Sequence, residues 1–205
     1  MQEFYTIAMI LSIATFTLST AITPGPNNIM LLSSGLTFGY KRTIPHMAGI
    51  IFGFPMMILV IGLGMGSLFE KFPFVLTSLK FIGILYLFWM AFKIANNKSS
   101  YDVEKNTTSK PFSFLQAAMF QWVNPKAWIM SITAISIFVT SNENSIDQVL
   151  IISLIYCLSG CVSSNTWAFG GTVLKKFIKS EKSVQRLNIT MAILLVASIL
   201  PIIFE

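Results

Sequence analysis

The sequence predicts an all-α integral membrane protein, with six transmembrane helices in a 3+3 inverted repeat built around proline-broken helices. Three observations predict it. First, 54% of the residues are hydrophobic and 11% charged, where a soluble domain carries roughly 25% charged residues. A mean hydropathy of +0.72, with 18 Phe and 11 Met, gives more apolar surface than one core can bury, so lipid is the expected solvent. Second, the apolar residues fall into runs of membrane-spanning length. Third, prolines interrupt those runs at corresponding places in the two halves.

The first run, Phe4 to Ile22, has no charged residue and at ~1.5 Å per residue extends about 28 Å, close to the hydrocarbon thickness of a bilayer. Its lead-in of Met1, Gln2 and Glu3 lacks the positive charge of a signal peptide, so a retained span is expected. Further spans are expected over Ile44 to Leu68, Phe72 to Ala95, Ser113 to Val139, Val149 to Val173 and Leu187 to Phe204. Between the third and fourth runs, Asn96 to Lys110 is polar and reads as a solvated connection. The chain therefore divides into a single transporter domain, 1–205, with a first repeat over 1–96, a cytoplasmic linker over 97–112 and a second repeat over 113–205. Three spans per half is an odd number, so a duplicated second half must lie upside down relative to the first.

The net charge is +6 and the pI about 9.4. No basic stripe, zinc spacing or aromatic platform accompanies that charge, so nucleic acid is not an expected partner. Position explains it instead, because cytoplasmic loops retain Lys and Arg. Lys41, Arg42, Lys93, Lys98, Lys105, Lys110, Lys175, Lys176, Lys179, Lys182 and Arg186 all fall on one side of the predicted spans. Lys71 stands on the other, with Glu3, Glu70, Glu143, Asp147 and Glu205. Both termini are then expected on the non-cytoplasmic side. Only Lys80 and Lys126 lie within spans; Lys80 is close enough to an interface to snorkel, whereas Lys126 would cost ~2.5–3.5 kcal/mol at the bilayer centre and must face a cavity or a partner.

The breaks carry the chemistry. Pro24 and Pro26 have no N–H, so the carbonyls of Thr20 and Ile22 lose their helical donors, and Gly25 between them adds freedom. Pro26 suits the first position of a new helix, with Asn27 and Asn28 beside its free N–H groups. In the second half, Pro125 frees the carbonyl of Gln121, with Asn124 and Lys126 flanking it. Orphan carbonyls attract an ammonium, and a helix N-terminus or a lysine attracts a carboxylate, so a zwitterion matches both signs. A packing kink is the plainer reading of one proline. Two matched breaks in non-helical backbone, which at membrane depth is tolerated only inside protein or along a cavity, point instead to a shared ligand site. The expected substrate-binding residues are Pro24, Gly25, Pro26, Asn27, Asn28, Gln121, Asn124, Pro125 and Lys126.

Other features have quieter readings. His46, the lone histidine, is expected to hydrogen-bond near the cytoplasmic interface. Gly49 with Gly53, and Ser159 with Ser163, are small-residue pairs for close helix packing. Trp89, Trp122, Trp128 and Trp167 are expected to divide between interfacial anchoring and bundle packing. Cys157 and Cys161 lie four apart on one helical face, which motivates a thiol carrier of reducing equivalents as a rival reading. No nucleophile with its base, phosphate loop or metal set is present, so no enzyme, cofactor or metal is expected.

The runs Thr23-Pro24-Gly25-Pro26-Asn27-Asn28-Ile29, Lys110-Pro111-Phe112-Ser113-Phe114 and Gln121 to Lys126 resemble the LysE/RhtB family of amino-acid exporters over nearly the whole chain. The family's Pro-Gly-Pro falls on Pro24, Gly25 and Pro26, and its second-half motif on Asn124, Pro125 and Lys126. The resemblance implies a multi-pass protein of the bacterial inner membrane that exports a small neutral, hydroxylated or sulfur-containing amino acid, such as cysteine, O-acetylserine, homoserine or threonine. It further implies H+ as the coupling ion, and leaves a homo-oligomer open. Alternating access is the expected mechanism; a passive channel is the remaining alternative.

Overall fold

A computed structural model describes residues 6–65, 71, 73–96, 110–139, 145–177 and 181–198. The polar connection over 97–109, Lys98, Lys105, Lys179, Glu3, Glu70, Glu143, Glu205 and the Lys80 side chain lie outside the described residues.

Among the described residues the chain forms eight α-helices. They are α1 (Ile7–Ile22), α2 (Pro26–Phe38), α3 (Tyr40–Val60), α4 (Pro73–Ala95), α5 (Phe114–Phe120), α6 (Pro125–Phe138), α7 (Ser145–Phe177) and α8 (Glu181–Ala197). A π turn, Ile61–Met65, extends α3, and a 3-10 turn, Gln121–Val123, separates α5 from α6. Two of these pass by length and hydropathy as membrane spans, Tyr40–Gly64 and α7, with α1 and α2 as a third if they are one span bent by 56°. Phe81–Ala95, α6 and Gln185–Ala197 are apolar but shorter.

Helix ends follow the sequence. Thr6 caps α1 by accepting from the Met9 N–H at 3.3 Å. Ser113 and Gln116 form a reciprocal capping box that starts α5. Pro26 and Pro125 each sit at a first helical position, where a missing N–H costs nothing. Between α2 and α3 only Gly39 intervenes, at φ +80°, a conformation for which glycine is the natural residue. α7 runs beyond the predicted Val149 to Val173 at both ends, with Asp147 in its first turn and Lys175 and Lys176 in its last, each sign complementing the helix dipole.

The helix α7, 33 residues and about 50 Å long, is the axis of the bundle. α1 runs parallel to it: Thr17 and Ser159 share a hydrogen bond of 2.8 Å, and Ser163 Oγ donates to the Ala21 carbonyl at 2.7 Å. α2 continues in the same direction, with Thr172 Oγ1 donating to the Gly35 carbonyl at 3.2 Å. α3 runs the opposite way, since Tyr40 bonds Asn165 near one end while Ser153 Oγ donates to the Pro55 carbonyl at 2.9 Å further along. α5 lies parallel to α3, and α4 packs on α8. The packing is reciprocal: α1 lies along α7, the long helix of the other half, and α5 lies along α3.

The predicted small-residue pairs have distinct uses. An added Cβ at Gly49 would meet the Phe114 carbonyl oxygen at 2.3 Å, and one at Gly53 would meet the Ala118 Cα at 2.6 Å, so this pair seats α5 directly on the α3 backbone. Ser159 and Ser163 instead hydrogen-bond to α1. Along α7, hydroxyl residues face inward and large apolar ones outward. Ser153, Tyr156, Ser159, Ser163 and Ser164 of α7 are buried, whereas Leu150, Leu154, Leu158 and Phe169 are exposed. That inversion of the soluble pattern is what a lipid surround demands.

Candidate functional site

The two breaks meet. Lys126, in the first turn of α6, reaches across to the first break, where its ammonium donates to the Thr23 carbonyl at 2.9 Å, Thr23 Oγ1 at 2.8 Å and the Pro24 carbonyl at 3.2 Å. Gly25 makes room for it: a Cβ there would lie 2.7 Å from Lys126 Cδ. Asn27 and Gln121 form a second tie, with Asn27 Nδ2 donating to Gln121 Oε1 at 2.8 Å and Gln121 Nε2 returning a bond to Asn27 Oδ1 at 3.3 Å.

The carbonyls that the prolines orphan have found donors elsewhere. Thr23 Oγ1 donates to the Thr20 carbonyl at 2.8 Å, and Trp167 Nε1 to the Ile22 carbonyl at 3.1 Å. Asn28 Nδ2 serves both the Ala21 and Thr23 carbonyls, at 2.7 and 2.8 Å. In the second break the Gln121 carbonyl accepts from the Asn124 N–H at 3.3 Å, and Trp128 Nε1 donates to the Trp122 carbonyl at 2.8 Å. Buried backbone groups must be paired, and here side chains and a 3-10 turn pair them. An exception at the breaks lies in a side chain: Asn124 is 2% exposed and its Oδ1 is buried with no donor among the described residues.

Between the breaks lies a cavity of about 50 Å³, with room for about four waters at ~10–15 Å³ each. Of the nine residues expected from the sequence, Gly25, Asn27, Asn28, Asn124 and Lys126 line it. Pro24 and Pro26 shape the first break, Pro125 opens α6, and Gln121, fully buried and bonded to Asn27 and the Ala117 carbonyl, is a strut. Thr20, Tyr156 and Ser164, which the sequence reading did not single out, also line the cavity with Ser163, beside the apolar Ile50, Phe54, Ala127 and Met130. Thr20 and Tyr156 share a hydroxyl–hydroxyl bond of 3.2 Å. For Tyr156 and Ser164 the signal was present, as hydroxyl residues recurring on the inward face of α7 at 153, 156, 159, 163 and 164. Among the cavity residues there is no Asp or Glu.

Other candidates lie apart. His46 is not hydrogen-bonded at an interface as expected: it is 2% exposed, neither ring nitrogen has a partner among the described residues, and its ring lies 5.2 Å from that of Phe112. Burial against Phe112, just ahead of α5, replaces the expected interfacial position. Cys161 is exposed, and neither cysteine lines the cavity.

A helical bundle with an apolar exterior, in which two interrupted helices frame a small cavity lined in part by Asn27, Asn28, Asn124 and Lys126, has the build of a membrane translocator of small solutes. The sequence matches the LysE type translocator family over residues 18–198, and the chain belongs to that family. It is accordingly a multi-pass membrane protein of a transporter family, not an enzyme. It is 34% identical over 183 residues to the cysteine/O-acetylserine efflux protein of Salmonella typhimurium (strain LT2), covering 89% of this chain and 91% of that one. To the protein of the same name from Escherichia coli (strain K12) it is 32% identical over 182 residues, with the same coverage. No solved structure matches this chain.

Proposed function

We propose that this protein exports a small neutral amino acid, of the cysteine or O-acetylserine kind, from a bacterial cytoplasm by alternating access around the cavity between its two breaks. The single observation that carries the reading is the Lys126 ammonium held by the oxygens of Thr23 and Pro24. A cation on one broken helix rests on the carbonyl end of the other, so each carries the sign that a zwitterion would complement. The substrate carboxylate takes over Lys126, and the released Thr23 and Pro24 carbonyls accept from the substrate ammonium. Gly25, Asn27, Asn28 and Asn124 line the same space, while Pro24, Pro26, Pro125 and Gln121 hold the breaks that frame it. A ligand lacking either charge leaves one side of the exchange uncompensated, which is how the site selects amino acids from other small solutes.

The size and chemistry of the cavity support a small, uncharged side chain. Its volume suits few heavy atoms, its wall offers the Thr20 and Tyr156 hydroxyls, and it holds no carboxylate to pair a cationic side chain. The names of the relatives point the same way.

Six spans in a 3+3 inverted repeat are the architecture of this reading. The order of a broken pair, a long helix and a further helix occurs twice, as α1/α2, α3, α4 and as α5/α6, α7, α8. The repeats then cover 1–96 and 113–205, joined by a cytoplasmic linker over 97–112. Lys41 and Arg42 open α3 and Lys175 and Lys176 close the antiparallel α7, which gathers these charges at one end of the bundle. The positive-inside rule makes that end cytoplasmic and both termini non-cytoplasmic. The proton gradient of the inner membrane is the proposed driving force.

The test is a resistance and efflux screen with individual amino acids in cells expressing the protein, with and without an uncoupler. Uncoupler-sensitive export of one or a few small neutral amino acids is expected. Export that never exceeds the gradient would identify a passive channel, and loss of the phenotype on replacing Cys157 and Cys161 by Ser would favour the thiol carrier.

A further inference from the structure

The proposed site contains three asparagines, and they are not equivalent. Asn27 Oδ1 accepts from Gln121, and Asn28 Oδ1 accepts from Ser163 at 3.3 Å. Asn124 Oδ1 accepts from nothing among the described residues, although it is buried and Asn124 lines the cavity. Its backbone is fully used: the N–H donates to Gln121, and the carbonyl accepts from Ala127 at 3.0 Å and Trp128 at 3.3 Å. An asparagine in this N-cap position ordinarily turns its side-chain oxygen onto the N–H groups of its own helix, but Asn124 makes no such cap. An acceptor that gives up the helix cap and is walled off from solvent is poised for a donor that arrives with the ligand.

We infer that Asn124 Oδ1 is the specificity-determining acceptor for the α-ammonium of the transported amino acid. The inference rests on the exporter reading and deepens it by fixing how the substrate lies. Asn124 stands two residues before Lys126 at the head of α6, and in an α-amino acid the ammonium stands one carbon from the carboxylate. The carboxylate on Lys126 and the ammonium on Asn124 are therefore held by the same helix start. The reverse orientation would set the substrate ammonium against the Lys126 ammonium, so like-charge repulsion rejects it. The side chain is then directed to the hydroxyl wall of Thr20, Tyr156 and Ser164. Selection against solutes that lack the amino group comes from the buried oxygen left unpaired when they bind, the most discriminating device available to a small pocket.

The experiment compares how well L-cysteine and 3-mercaptopropionate, which is cysteine without its amino group, compete for transport of labelled L-cysteine in membrane vesicles. For the wild-type protein a preference for L-cysteine on the order of tenfold or more is expected, the scale of one hydrogen bond to a charged group. In Asn124→Leu, which loses the acceptor, the preference should fall to within about threefold; in Asn124→Asp, which keeps it, the preference should be at least that of the wild type. Asn124→Leu retaining the wild-type ratio, or Asn124→Asp losing it, overturns the inference. Should Asn124→Leu fail to accumulate, the Asn124→Asp ratio decides alone. A wild-type protein that carries no amino acid overturns the exporter reading itself, whereas one that transports L-cysteine with an unaltered ratio in Asn124→Leu overturns only the role of Asn124.

Discussion

The first break is rich in acceptors and draws its donors from elsewhere, whereas the second is largely self-contained and exports a donor. Around Thr23 and Pro24, the oxygens are served by Lys126, Asn28, Trp167 and Ser163, three of them more than 100 residues away in sequence. Around Gln121 to Asn124, a 3-10 turn and the nearby Trp128 supply most of the bonding, and the lysine beyond it is free to reach across. Two segments with similar proline chemistry therefore play opposite electrostatic parts. The difference teaches that the first break is incomplete without the second half of the chain; on the proposed reading the breaks are halves of one site, and a ligand with both charges takes the place of their mutual contact.

Breaking the contact from the donor side should have the largest effect. Lys126→Ala removes the ammonium and leaves the Thr23 and Pro24 oxygens short of a donor. Export should fall at least about tenfold at unchanged expression, the scale of one charge-assisted hydrogen bond or more, as measured by efflux of labelled amino acid. Disturbing the same contact sterically should do less. Gly25→Ala places a Cβ 2.7 Å from Lys126 Cδ, but its extended backbone accepts alanine and the lysine can swing aside. An efflux loss of about threefold to tenfold with little change in thermal stability is expected, since a displaced side chain costs roughly 1 kcal/mol.

The Asn27–Gln121 tie sharpens the comparison from its structural side. Either Asn27→Ala or Gln121→Ala should destabilise the protein by about 1–3 kcal/mol, because the partner amide is left unpaired inside the bundle. The double variant should cost less than the sum, by about 0.5–3 kcal/mol in a thermal or denaturant double-mutant cycle.

Effects away from the breaks should be smaller. His46→Leu replaces a buried imidazole with two unpartnered nitrogens, and should stabilise the protein by about 1 kcal/mol in thermal melts in detergent. Cys157→Ser with Cys161→Ser should leave export unchanged, because neither thiol lines the cavity.

Much of the framework was legible in the sequence, for reasons that can be named. Proline lacks an N–H wherever it stands, so the interruptions at Pro24, Pro26 and Pro125 could be placed to the residue, and an intramembrane lysine had to be accommodated by something. What Lys126 contacts could not be read, because its partners are two backbone oxygens and a threonine hydroxyl about 100 positions away, and any orphan carbonyl would have served. Asn27, Asn28 and Asn124 looked alike in sequence; only their tertiary neighbours distinguish two satisfied amides from one with an idle oxygen. Helix α2 was expected to start at Pro26 but was not counted as a span, since its 13 residues are too short to cross a bilayer. Tyr156 and Ser164 were passed over because hydroxyls in a membrane helix usually serve packing. His46 was placed by its proximity to Lys41 and Arg42, but the approach of Phe112 encloses it.

Counterflow in proteoliposomes tests the central claim most directly, because exchange of labelled for unlabelled L-cysteine requires binding and alternating access without any driving gradient. With wild-type protein, labelled cysteine should accumulate transiently, and folded Lys126→Ala should show none. Counterflow by Lys126→Ala equal to that of the wild type would contradict the account, since the two breaks would then be joined by a contact that the substrate never uses.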